Sequence, residues 1–171
     1  DPTTMVLSPV ATPIFVSGFS EQAMKPLQRF FDKFGMLAMA GPGQLPGKVI
    51  PLEPGSAVAV SLMEGDANMS AVGTVTYVKG DTVLAFGHPF MERGQVDMPM
   101  STAYVHGIMS SAMASFKLAS PVAQVGTLTS DRRFAVGGTR AIAVRKSSMW
   151  RGPMNSRQYH SQGYSRGSWW P

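Results

Sequence analysis

Cysteine is missing from all 171 residues, which removes disulfide frameworks, thiolate zinc sites and cysteine nucleophiles together. Long apolar runs are missing too. None approaches the roughly 20 residues that cross a bilayer, so no membrane span is expected. The chain opens on Asp1-Pro2-Thr3 rather than on a charged-then-apolar leader. A phosphate-cradling loop is also absent, because Gly41-Pro42-Gly43 lacks the Gly-Lys-Ser/Thr that would complete it. Carboxylates run out early. All ten lie in residues 1–131, where they outnumber seven Lys/Arg and leave a net charge of −3. Residues 132–171 hold eight Lys/Arg and no carboxylate, a net +8, so the formal charge of +5 and the pI of 9.8 arise there.

That basic end does not read as a nucleic-acid arm. Its charges are spaced singly, and Trp150, Tyr159, Tyr164, Trp169 and Trp170 follow neither a strand nor a helix period. A stacking platform would interleave aromatics with arginine on a sheet or in a groove. Residues 141–171 are therefore expected to be a basic tail, disordered or non-native, and no nucleic acid is expected as a partner.

What is present points to a mainly β protein with one short N-terminal helix. Met5 to Val16 is apolar but punctuated at Pro9 and Pro13, which suits an edge strand. Leu27, Phe30, Phe31 and Phe34 recur at helical spacing and predict a core-facing stripe, with Gly35 as its left-handed stop. Pro26 fits a first turn, so the helix is expected to start between Ser20 and Lys25. Residues 1–39 thus form a strand-and-helix segment, and the Gly/Pro-rich residues 40–55 a connector.

From residue 56 the period becomes two. Val58, Val60 and Leu62 alternate with small residues; Val72, Thr74, Thr76 and Val78 share one face, with Gly73, Val75 and Tyr77 on the other. Turns at 64–68 and 79–81 make two hairpins, the second returning through Thr82–Phe86. Further short strands are expected at Tyr104–Met109, Phe116–Ala119 and Gln124–Thr129, broken at Ser120-Pro121. Strands at this spacing predict a barrel or sandwich over residues 56–140. Met91, Met98, Met100, Met109 and Met113 crowd one region, where methionine fills irregular core gaps or lines a binding surface.

Of three histidines, His160 lies in the tail and His106 within a predicted strand, where a half-buried structural role is expected. His88 differs. In Phe86-Gly87-His88-Pro89-Phe90 it leaves the end of an apolar strand, where Pro89 stops the strand from continuing. An imidazole so placed can act as a general base near neutral pH when a hydroxyl is in reach, and a structural role stands beside that reading. A metal site built from His88, Glu92 and Asp97 would need a helix that Pro89 discourages, and no second histidine pair supports it. No metal or cofactor is expected.

The wording of the chain also resembles a known family. Thr12-Pro13-Ile14-Phe15-Val16-Ser17-Gly18-Phe19, Pro54-Gly55-Ser56-Ala57-Val58-Ala59-Val60 and Glu64-Gly65-Asp66 resemble the SpoIVB (stage IV sporulation protein B) serine peptidases, in their non-sporulation branch. The densest similarity runs from Gly73-Thr74-Val75-Thr76 through Leu84-Ala85-Phe86-Gly87-His88-Pro89-Phe90. It continues through Asp97-Met98-Pro99-Met100, Ser115-Phe116-Lys117-Leu118-Ala119-Ser120 and Gly126-Thr127-Leu128-Thr129-Ser130-Asp131-Arg132-Arg133, so it spans about residues 10–140.

The resemblance implies the histidine-bearing barrel of a chymotrypsin-like two-barrel serine endopeptidase, incomplete here, working on proteins or peptides outside the bacterial cytoplasm. It carries the general-base role onto His88 alone. The family's nucleophile lies downstream in a Gly-Ser-Gly-Ser-Pro-like turn, and no such turn follows Arg133. Ser147, Ser148, Ser156, Ser161, Ser165 and Ser168 all lie in the basic tail. Asp131 belongs to a Ser-Asp-Arg motif that precedes the family's catalytic aspartate and does not inherit its role. The expectation is a truncated chain that holds the base, lacks the nucleophile and does not turn over. The alternative is a non-catalytic β domain that binds peptides or proteins, with self-association through open sheet edges.

Overall fold

The computed structural model describes residues 12–110 and 115–141. The basic tail from residue 142, with His160 and the serines named above, lies outside the described residues, as do Pro9 and Met113. Residues 1–11, with the first part of the apolar start, lie outside them as well.

The N-terminal part departs from simple β order: β1 (Thr12–Ser17), α1 (Glu21–Asp32) and β2 (Met36–Ala40) form a strand–helix–strand unit. β1 and β2 run parallel, as a helical crossover allows. β1 is not the edge strand its prolines predict, because it also pairs antiparallel with β4. Pro13 is tolerated because the pairing with β4 begins only at Ile14, leaving the missing N–H at the strand's start.

The helix begins at Glu21, inside the expected window, but Pro26 falls in its second turn rather than its first. Of the predicted phenylalanine stripe, Phe31 is buried and Leu27 and Phe34 are half-buried, while Phe30 is 50% exposed. One helix lying against one sheet edge buries only the centre of its apolar face. Gly35 adopts the expected left-handed conformation (φ 63°), and its N–H bonds Asp32 O. β2 went unpredicted because Met-Leu-Ala-Met-Ala has no alternation and no β-branched residue; pairing with β1 makes it a strand.

Six further strands close into an antiparallel barrel: β3 (Ala57–Met63), β4 (Asn68–Lys79), β5 (Thr82–Ala85), β6 (Gly94–Met109), β7 (Phe116–Arg132) and β8 (Ala135–Thr139). Their cyclic order is β4-β3-β6-β7-β8-β5, returning to β4. Val58, Val60, Val75, Val83, Ala85, Met100, Leu128 and Val136 fill the core, each at most 1% exposed. The two predicted hairpins, β3–β4 and β4–β5, are present. Alternation along β4 fails after Val75, where a register shift leaves both Thr76 and Tyr77 exposed.

Two expectations are corrected in the second half. Ser120-Pro121 does not break the chain: Phe116–Arg132 is one strand, paired along its length with β6 through four register shifts. At Pro121 the free backbone oxygen accepts Leu45 N–H from the connector at 2.8 Å. The second correction is β8, since no strand is expected beyond Thr129 and Ala135–Thr139 forms one. A Cβ on Gly138 would lie 2.7 Å from Thr127 O, and one on Gly126 2.1 Å from Thr139 O. The glycines that weaken a strand signal are what let β7 and β8 approach, and β8 seals the barrel against β5. The barrel is closed, so the open edges expected of a half-barrel are not there.

The connector follows the barrel's outer surface from Gly41, against Phe15, to Gly47, against Val122. It crosses the strands between β1 and β7, and both faces of β3 are buried, Ala59 and Ser61 as fully as Val58 and Val60.

Candidate functional site

β4 exchanges partners along one edge: β1 occupies it at residues 68–71 and β5 at 75–79. Between them Val72 and Thr74 form the floor of a cleft of about 1150 Å³. α1 and β2 wall one side with Asp32, Lys33 and Leu37; the stems of β6 and β7 wall the other with Ile108, Ser115 and Lys117. The loop from His88 to Glu92 closes one end.

The His88 loop is built by a backbone that an ordinary strand end would not adopt. β5 stops at Ala85, and Phe86 and Gly87 both take left-handed φ, 71° and 70°. For Phe86 this conformation costs on the order of 1–3 kcal/mol. What holds it is local: Phe86 N–H donates to Thr74 O at 2.9 Å, and its ring lies over Gly73. A Cβ on Gly73 would meet that ring at 2.5 Å. Phe86 also packs tilted against Phe90 and edge-on against the imidazole of His88.

Below the loop sits Asp131, fully buried. Its Oδ1 accepts Phe90 N–H at 2.8 Å; its Oδ2 accepts Met91 N–H at 2.7 Å and Arg93 N–H at 3.3 Å. Three amide donors satisfy a buried carboxylate that would otherwise be costly to desolvate. They also tie the His88 loop to the end of β7. Sequence reasoning missed this role, because the partners lie about 40 residues apart and no spacing rule links them.

His88 itself is exposed, and its Nδ1 lies 2.7 Å from Pro89 O. A carbonyl oxygen only accepts, so this contact puts a hydrogen on Nδ1, which in the neutral ring leaves the lone pair on Nε2. That tautomer is the one a general base needs. Among the described residues no side-chain hydroxyl is bonded to the His88 ring. Ser115 lines the same cleft.

Of the two lysines that line the cleft, Lys33 is exposed and the other is Lys117. Half-buried, its Nζ donates to Thr74 Oγ1 at 2.6 Å, and it pairs with no carboxylate among the described residues. It was legible only as part of a motif. His106 is exposed rather than half-buried; its Nε2 lies 2.9 Å from the Oγ of Ser120, which is fully buried. That hydroxyl sits in a paired strand, away from the cleft, and has no accessible surface for a substrate.

His88, Glu92 and Asp97 do not gather. No group of three potential metal ligands occurs among the described residues. Met100 is core filler, Met91 and Met98 pack half-buried on the core, and Met109 is 50% exposed. No helix among the described residues is long and apolar enough to cross a membrane. Compared with protein-family models, curated proteins and solved structures, the chain finds no match.

Proposed function

We propose that this chain is the histidine-bearing barrel of a chymotrypsin-like serine endopeptidase of SpoIVB type, holding the general base and a peptide cleft without turning over by itself. One observation carries the reading. His88 stands at a strand end on a loop tied into the core, in the Nδ1–H tautomer, at the end of a cleft open to an extended chain. In acyl transfer such an imidazole takes a hydroxyl proton on Nε2 and returns it to the leaving amine. Among the described residues no hydroxyl is bonded to the ring, so on this reading the barrel contributes the base and the cleft rather than the attacking group. The same reading puts its work outside the bacterial cytoplasm, on proteins or peptides.

Lys117 favours the second reading, a non-catalytic peptide-binding domain. An ammonium held by a hydroxyl and paired with no carboxylate among the described residues is suited to an acidic side chain or a terminal carboxylate of a bound peptide.

Two measurements test these readings together. Titration with extended peptides is expected to perturb the amide signals of Val72, Thr74, His88 and Lys117 in a saturable way; no perturbation at any peptide concentration overturns both. A fluorophosphonate probe is expected to label no serine. Stoichiometric labelling, of Ser115 above all, overturns the missing nucleophile, and its loss in His88→Ala would make the chain an active peptidase. Peptide binding that survives His88→Ala unchanged favours the binding domain.

A further inference from the structure

The peptide group between Pro89 and Phe90 is engaged on both sides. Its N–H is taken by Asp131 Oδ1 at 2.8 Å, and its carbonyl oxygen lies 2.7 Å from His88 Nδ1. The chain has no cis peptide bond among the described residues, so this N–H and C=O point in opposite directions from one rigid plane. Turning the N–H inward to the carboxylate necessarily turns the carbonyl outward to the imidazole.

We infer that Asp131 is a positioning residue for His88, fixing its Nδ1–H tautomer through the Pro89–Phe90 peptide group. The inference rests on reading His88 as a base. In the familiar triad a carboxylate touches the imidazole directly; here one amide stands between them. Hydrogen bonds in series polarise one another, so a carboxylate on the N–H side makes the Pro89 carbonyl a stronger acceptor. Met91 and Arg93 N–H groups, on the other oxygen, keep the carboxylate from rotating out of the arrangement. The consequence is chemical, because a free histidine side chain in water prefers the other tautomer, with its hydrogen on Nε2 and no base there. An exposed ring such as His88 has nothing else among the described residues to reverse that preference.

The test is a two-bond ¹H–¹⁵N correlation spectrum of the histidine rings in the wild-type chain, at a pH where His88 is neutral. Nδ1 is expected to resonate as the protonated nitrogen and Nε2 as the bare one. The Phe90 amide proton is expected to be protected from exchange despite its place in a surface loop. A predominant Nε2–H form, or a freely exchanging Phe90 amide, overturns the inference. In Asp131→Asn the Nε2–H form is expected to become the major one while the amide spectrum of β3–β6 is retained; a folded variant with an unchanged tautomer overturns it. Should that variant not fold, the wild-type spectrum decides alone. Because the tautomer is read without peptide, failure of peptide binding would remove the proposed function and leave this result standing.

Discussion

At the scale of single residues the site depends on where side chains are absent. Gly73 has no Cβ because Phe86 needs the space, and Phe86 in turn steadies both its own left-handed backbone and the His88 ring. Gly73→Ala is expected to cost about 2 kcal/mol in urea unfolding, as overpacking does. It should also shift the His88 ring resonances, whereas unchanged ring signals would show the two residues to be independent. Ser101 makes the opposite case. Its Oγ is buried and has no hydrogen-bond partner among the described residues. Ser101→Ala is expected to stabilise the chain by about 1 kcal/mol, since a buried hydroxyl without a partner carries its desolvation penalty unrelieved. A fall in the unfolding midpoint would show that the hydroxyl is satisfied in solution. The Gly-His-Pro frame made His88 visible in the sequence. Nothing in the order of residues announced Asp131, because its partners come from a loop closed only when β6 and β7 pair.

Among the elements, β2 is the strand with an unpaired outer edge, the kind of edge that invites pairing with another chain. It is capped by a side chain. Gln28 of α1 donates through Nε2 to Met36 O at 3.1 Å and accepts Ala38 N–H on Oε1 at 2.7 Å, as a neighbouring peptide unit would. Self-association through open edges is thus opposed twice, by barrel closure and by this amide. Gln28→Ala is expected to raise the apparent mass in light scattering with increasing concentration, whereas Gln28→Glu keeps only the acceptor and should give an intermediate effect. A monodisperse Gln28→Ala protein would show that the edge is protected by something else. The helix was readable from its phenylalanine spacing and the hairpins from their turn residues, because these signals are local. β2 and β8 were not, since a Met/Ala run and a glycine pair become strands only by fitting against β1 and β7.

For the whole molecule, β8 is the decisive piece. Five residues join β5 to β7 and turn an open sheet into a closed one. A chain ending at Ala141 retains every strand of the barrel and is expected to unfold in one transition with the midpoint of the full chain. A chain ending at Phe134 loses β8, leaves the edge of Thr82–Ala85 that faces away from β4 unpaired, and is expected to unfold or aggregate at the same temperature. Equal midpoints for the two would show that closure contributes nothing. Lys117 belongs to this scale too. It reaches Thr74 from 43 residues away because the β6–β7 arm folds across the outer face of β4, and only that crossing makes a cleft.

The order of residues was enough to set a mainly β chain with one short helix, the turns that start its hairpins, and a histidine delivered by a strand end. Each follows from periodicity or from the conformational habits of glycine and proline, which act within a few positions of themselves. Closure of the barrel, the capped edge of β2, the cleft and the hold of Asp131 on the His88 loop were decided by the tertiary structure. These depend on backbone groups and side chains that meet across 8 to 60 residues of chain, and such meetings are fixed by packing and register rather than by local preference.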